Sequence, residues 1–286
     1  MQARVEKLNL SRQLPTEPDP RPALVEQVAR VVQDAERRSV AVFDLRPKAP
    51  VIVKREPVFS EKSAAAHYSD PAPDGSLPGI YWIPLADLGP KVTWLGTGLK
   101  STAYHEAIPG HHFQIAIQQE STDLPRSRKL GVFGANNAYI EGWALYAERL
   151  PAENGWYDGD LPGRLGYLQL QLFRARRLVV DTGLHAKKWT RQQVIDFGFT
   201  PQETERYIVW PGQACSYMIG QLRILELREQ AKAALGAKFS IKEFHNVVLR
   251  SGSLPLAVLA QEVDAWVAAK KLIGSAGIRA GELKEK

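Results

Sequence analysis

Between residues 22 and 39, PALVEQVARVVQDAERRS, apolar side chains recur every three or four positions behind Pro22, which suits a first helical turn. A helix is expected there. The period then changes. Four short segments, 40–47 (VAVFDLRP), 50–57 (PVIVKREP), 63–70 (SAAAHYSD) and 78–85 (PGIYWIPL), are β-rich and broken by Pro, Gly and Asp. They predict a small antiparallel sheet of three or four strands. Beyond residue 98 the pattern is almost entirely helical, with helices expected over 100–120, 135–150, 164–182, 190–198, 201–208, 211–235, 240–250 and 255–270. Thr200-Pro201-Gln202-Glu203 reads as a helix start and Gly236 as a stop. The last helix is amphipathic. The fold class is therefore mainly α, with a small antiparallel β-sheet near the N-terminal side. The expected organisation is a flexible, proline-rich lead-in over 1–21, a single domain over 22–272 and a frayed tail over 273–286.

Composition narrows the partners. The 286 residues are 44% hydrophobic and 24% charged, with a formal charge of +6. That is globular composition, enough for one large core. Acidic and basic residues are interleaved, and no basic run carries aromatic residues between its charges, so a nucleic-acid surface is not expected. Cys215 is the single cysteine, which excludes an internal disulfide, and its apolar neighbours suit a buried thiol. No stretch reaches the roughly 20 apolar residues of a membrane helix. The opening MQARVEKLNLSRQLP lacks the apolar core of a signal peptide.

One segment carries most of the chemistry. Residues 104–114 read YHEAIPGHHFQ, close to the zinc motif H-E-x-x-H, but Pro109 stands where the second histidine would be. In the regular motif one helical turn puts both imidazoles on one face, and the Glu polarises the water at the metal. Here His112 would share a face with His105, about 10 Å along the axis of an ideal helix. Pro109 has no amide hydrogen to give and Gly110 tolerates unusual backbone angles, so Pro-Gly can open a wide turn that brings His111 into the ligand position instead. His111 is favoured, with His112 as the alternative. The third ligand expected is Glu141, in the apolar segment NNAYIEGWALYAERL. Glu148, two turns on and beside Arg149, reads as part of a surface pair. The reading is one Zn2+ ion on His105, His111 and Glu141, with Glu106 as general base.

Amide hydrolysis also needs a donor for the developing oxyanion. Arg177 and Asp181 are four apart and can pair; alternatively Arg177, Arg206 or Arg223 grips a substrate carboxylate. Gln213 can donate to substrate backbone or cap its helix. His245 reads as structural. His67 sits on an expected strand and could lie beside the substrate. GIYWIPL suits either a buried strand or an edge that pairs with an extended peptide.

HEAIPGHHFQ, YIEGWALYAE, RLVVDTGLHAKKWT, RYIVWPGQACSYMIGQLRILELR and FHNVVLRSGSLPL together resemble the bacterial family called domain of unknown function 885, over roughly residues 40–270. That family resembles the helical zincin metallopeptidases, namely the carboxypeptidases and oligopeptidases related to angiotensin-converting enzyme. The resemblance implies a zincin-like fold with zinc at the first motif and at Glu141. The helical zincins take the oxyanion donor from a Tyr or His of a later helix, and that resemblance makes Tyr217 and His185 the candidates, with Tyr207 a third. It implies a zinc-dependent hydrolase, foremost a metallopeptidase acting on short peptides. The alternatives are a hydrolase of other amides or esters, or a metal- or peptide-binding relative without turnover. Family members run longer on the N-terminal side and often carry export or lipoprotein signals. This implies a C-terminal portion, a split protein or a shortened relative, with a missing N-terminal half or a partner chain as the expected complement in the first two cases. The location expected is the bacterial envelope or beyond, or the cytoplasm if the chain is complete.

Overall fold

The computed structural model describes residues 19–86, 98–131, 134 and 136–282, with the backbone alone for 273–282. Helix α1 (Arg21–Ser39) buries Leu24, Val28, Val32 and Ala35, the stripe its spacing announces. The strand expected over 40–47 does not form. The amides of Ala41, Val42 and Phe43 bond back to Arg38 and Ser39, and the adjacent side chains of Val42 and Phe43 are both buried. Their amides finish a helix end, leaving none for a ladder.

Three strands follow: β1 (Val51–Arg55), β2 (His67–Ser69) and β3 (Gly79–Ile83). Their order is β1-β3-β2, with β1 parallel and β2 antiparallel to β3. The sheet is thus mixed rather than antiparallel, because the chain crosses over between β1 and β3 and inserts the short β2 on the way. GIYWIPL supplies the central strand, not an edge. Gly79, Tyr81 and Ile83 face inward in alternation.

The single helix expected over 100–120 is two. Helix α2 (Leu99–Glu106) stops at the turn 107–110, which contains a cis Ile108–Pro109 peptide, and α3 (His111–Glu120) starts anew. Gly110 is required there: a Cβ would fall on the carbonyl oxygen of His105. Trp143 Nε1 donates to the Pro109 carbonyl at 2.9 Å and pins the turn. The remaining helices are α4 (Arg126–Lys129), α5 (Asn137–Glu153), α6 (Leu161–Lys187), α7 (Arg191–Asp196), α8 (Pro201–Val209), α9 (Gln213–Leu235), α10 (Ile241–Arg250) and α11 (Leu256–Glu282). Side chains of Asn136, Asp160, Thr190, Thr200 and Ser240 cap α5, α6, α7, α8 and α10. Helix α9 ends at Gly236, φ 54°. Helix α11 continues through 273–282, where a frayed tail was expected, and residues 283–286 lie outside the described residues. So do residues 1–18 of the expected lead-in.

The main core joins α1, the sheet, α2, α3, α5 and α9 to α11, while Val180, Val194, Phe199 and Tyr207 form a smaller cluster under α6 to α8. Helices α5 and α9 touch backbone to backbone. A Cβ on Gly142 would lie 2.6 Å from the Gly220 carbonyl carbon, and one on Gly220 would lie 2.6 Å from Gly142 Cα. This contact fixes the helix that carries Glu141.

Candidate metal centre

His105 ends α2 and His111 opens α3, so the Pro-Gly turn folds the second imidazole back onto the first. Their rings meet edge to face at 4.8 Å. Glu141, in the second turn of α5, completes the group. One ligand atom from each of His105, His111 and Glu141 lies within 4.8 Å of the others, and among the described residues this is the one such cluster. Glu141 Oε2 is 3.4 Å from His105 Nε2 and 3.5 Å from His111 Nε2. Those lengths are long for hydrogen bonds. They match the edge of a tetrahedron of zinc ligands, roughly 3.3–3.4 Å for bonds of about 2.0–2.1 Å. Glu141 Oε2 is buried and has no hydrogen-bond partner. A buried carboxylate oxygen left unpaired between two imidazole nitrogens is what a cation would satisfy. The residues therefore fit a zinc ion.

His112 does not face this cluster. Its Nε2 lies 3.0 Å from the Ala49 carbonyl and its Nδ1 2.9 Å from the Tyr68 hydroxyl. Burial lowers its pKa to about 4, so it is a neutral link between α3 and the sheet.

Behind His105 stands a residue the sequence reading assigned to the surface. Glu148 is 1% exposed; its Oε1 is 2.7 Å from His105 Nδ1, and its Oε2 accepts from Ser101 Oγ at 2.7 Å. Arg149 pairs with Glu153 instead. Glu148 holds the Nδ1–H of His105 and so orients the ring with Nε2 toward Glu141. A signal existed: position 148 is seven past 141, hence on the same helix face. On His111, the Nδ1 lies 2.8 Å from Gln114 Nε2.

Burial opposes charge on His105, yet the adjacent carboxylates of Glu141 and Glu148 raise its pKa to about 10 in the metal-free chain. Burial alone would raise the Glu141 carboxyl, but the two imidazoles hold it well below the usual carboxylate range. Glu106 is different. Burial raises its pKa, partly offset by the histidines, and no described residue hydrogen-bonds its carboxylate. It lines a cavity of about 510 Å³ together with His105, His111 and Glu141. A second cavity, of about 480 Å³ and beside α3 and α4, contains none of the cluster.

Tyr217 also lines the first cavity. Its ring stacks on His105 at 6.2 Å, and its hydroxyl lies 3.3 Å from Arg206 Nη2 and 3.4 Å from Gln213 Nε2. Gln213 thus acts through Tyr217 and Arg206. His185 is exposed on the end of α6, where its Nε2 donates to the Tyr207 carbonyl at 2.9 Å, outside the cavity lining. Tyr207 is buried behind that lining, giving its proton to Glu203 and accepting from Arg177. Arg223 pairs with Glu226 away from the cluster. Arg177 does not pair with Asp181: it reaches Glu203 at 3.0 Å, and Asp181 accepts from the Gly212 amide. His67 lines the cavity, whereas His245 is buried against Tyr146 and Val42. Cys215 is buried and its thiol is raised to about 11, so it stays protonated.

The fold and the cluster define a helical protein with a two-histidine, one-glutamate centre at the base of a cavity. The chain belongs to the family of bacterial proteins of unknown function known as DUF885, whose pattern matches residues 1–263. A candidate lipoprotein from Colwellia psychrerythraea has a similar structure, with a TM-score of 0.85 and 44% identity over 93% of this chain and 47% of that one. A candidate lipoprotein of unknown function from Shewanella oneidensis shares the fold, with a TM-score of 0.68 and 24% identity over 91% of this chain and 53% of that one. The chain spans about half the length of these relatives. No curated protein matches it.

Proposed function

We propose that the chain carries the centre of a zincin-like, zinc-dependent metallopeptidase that cleaves short peptides. The observation behind this reading is the unpaired buried Oε2 of Glu141, set at tetrahedral spacing from two imidazole nitrogens in a cavity that also exposes Glu106. His105, His111 and Glu141 would hold the ion, which supplies Lewis acidity toward a water and a carbonyl oxygen when bound. Glu106 takes the proton of the attacking water and returns it to the leaving nitrogen. Its burial-raised pKa brings it nearer to the protons it exchanges. Tyr217 receives donors from Arg206 and Gln213 on its oxygen, which leaves its own O–H to donate to a substrate oxygen. The relatives are candidate lipoproteins, which supports a place in the bacterial envelope for this protein too. Among the described residues no helix is long and apolar enough to cross a membrane. The chain covers about half of the relatives' length, and in this reading a further segment or a partner chain completes the cleft.

The test is metal content followed by turnover. The parent chain should hold about one zinc, and His105→Ala and Glu141→Ala should lose it. Glu106→Gln should keep the zinc while hydrolysis of short peptides falls about 10²–10⁴-fold. Full activity in Glu106→Gln, or no zinc in a folded parent, overturns the proposal.

A further inference from the structure

Three guanidinium groups line the cavity that holds the cluster: Arg174 and Arg177 from α6, and Arg206 from α8. One described carboxylate is in ion-pair contact with them, while Glu141 and Glu148 act on Arg174 only through their field. Glu203 lies 3.0 Å from Arg177 Nη2 and 3.7 Å from Arg206 Nη1. Arg206 spends its other contacts on Gln213 and Tyr217. Arg174 forms no hydrogen bond or ion pair with any described residue, and its buried Nε has no partner. Arg177 has a side chain only 3% exposed, and its Nη1 is likewise buried without a partner. Buried N–H groups of a cation are costly to leave unpaired, so this arrangement is short of an anion.

Aromatic faces hold the guanidiniums in place. Arg174 and Arg177 each lie 4.9 Å from the centre of the Tyr217 ring, and 5.2 and 4.6 Å from that of Phe173. The same Tyr217 ring stacks on His105 at 6.2 Å. One aromatic ring therefore stands between the metal ligands and the cationic group. About three extended residues, at roughly 3.3–3.6 Å each, bridge that span.

We propose that Arg174, Arg177 and Arg206 form a subsite for a carboxylate of the substrate, so that the cavity takes anionic peptides. The proposal rests on the peptidase reading for its substrate class. Its physical basis is independent: a planar guanidinium offers paired N–H donors that a carboxylate accepts two at a time. Burial and the neighbouring charge of Arg177 depress the pKa of Arg174, a penalty that a bound anion relieves. The carboxylate can come from the free C-terminus of a peptide or from an acidic side chain, and both present the same group.

The test is calorimetric and contains no zinc, so it fails or succeeds apart from the metal reading. The full chain, freed of metal, is titrated with acetyl-Ala-Ala-Ala, with its C-terminal amide, and with acetyl-Ala-Ala-Glu amide. At least one carboxylate-bearing peptide should bind tenfold or more tightly than the neutral amide. A preference for the first assigns the C-terminus, and a preference for the third assigns an acidic side chain. Arg174→Met and Arg206→Met should bring the preference within about twofold. Arg174→Lys, which keeps the charge and loses the fork, should retain part of it. Zinc content of Arg174→Met, measured separately, should equal that of the parent. Equal binding of the three peptides, no binding of any, or a preference that survives in both methionine variants overturns the subsite.

Discussion

Replacing Glu148 by Gln tests whether the residue behind His105 tunes the metal site. The carboxylate is 1% exposed and serves two partners at 2.7 Å, His105 Nδ1 and Ser101 Oγ. An amide of the same shape has one oxygen to offer. If that oxygen faces His105, the Nδ1–H bond survives but loses its charge assistance, about 1–1.5 kcal/mol. If the NH2 faces His105, the proton is driven to Nε2, the atom needed for the ion. Either way zinc affinity should fall about 10–100-fold, or about 1.4–2.7 kcal/mol. Competition against a chromogenic zinc chelator at pH 7.5 measures this, with circular dichroism to show that the variant is folded. Ser101→Ala removes one neutral hydrogen bond and leaves the carboxylate, so its loss should stay below about tenfold. A folded Glu148→Gln protein that binds zinc within twofold of the parent would refute the reasoning.

Two further outcomes follow from the fold. Gly220→Ala puts a methyl onto the Ala138 carbonyl oxygen of α5 and 2.6 Å from Gly142 Cα, well inside ordinary contact with backbone that cannot give way alone, so α9 must move off α5. A loss of roughly 1–3 kcal/mol by urea unfolding is expected, with weaker zinc binding because Glu141 adjoins the crossing; unchanged stability would show that the helices part freely. His245 is held neutral by burial, with Arg228 nearby, and its pKa falls to about 3. The unfolded chain takes up a proton near pH 6.5 and the folded one does not, so stability drops as pH falls below that value. The loss attributable to His245 between pH 6.5 and 5 is about 1.6 kcal/mol, because the slope reaches its limit of about 1.36 kcal/mol per unit only once the unfolded imidazole is fully protonated. His112, lowered to about 4, acts in the same direction, and His105, raised to about 10, acts against both. The test is therefore a difference: urea titrations should show that His245→Gln loses less stability over that interval than the parent, and parallel losses would exclude His245 as the source.

Much of the site was legible because its residues lie close in the chain or in one periodic helix. His105, His111 and Glu141 could be read from a motif and the arithmetic of a Pro-Gly turn. The choice of His111 over His112 needed the turn itself, because only its shape decides which imidazole points back. Glu148 was misread from its neighbour Arg149, although the seven-residue interval to Glu141 already placed it on the inner face. Tyr217 comes to the cluster through the α5–α9 crossing, a long-range contact that local pattern cannot supply. Arg174 was overlooked for a similar reason: nothing along the chain shows that α6 turns that residue toward the same cavity. His185 was credited with a role that its position on the outer end of α6 does not allow. The strand over 40–47 failed because β-rich composition says nothing about where the amides find partners. The sheet's mixed order likewise depends on a crossover that spacing alone does not reveal.

The candidate ligands His105, His111 and Glu141 come from three helices, and two of those meet at a turn of four residues. An ion held there would fasten the end of α2, the start of α3 and the second turn of α5 at one point. Because the unfolded chain cannot hold those groups together, folding and occupancy form one linked equilibrium. Free metal at a thousand times its dissociation constant would add about 4 kcal/mol to the folded state. Metal supply would then set how long the protein survives heat and proteases, apart from any bond it cleaves.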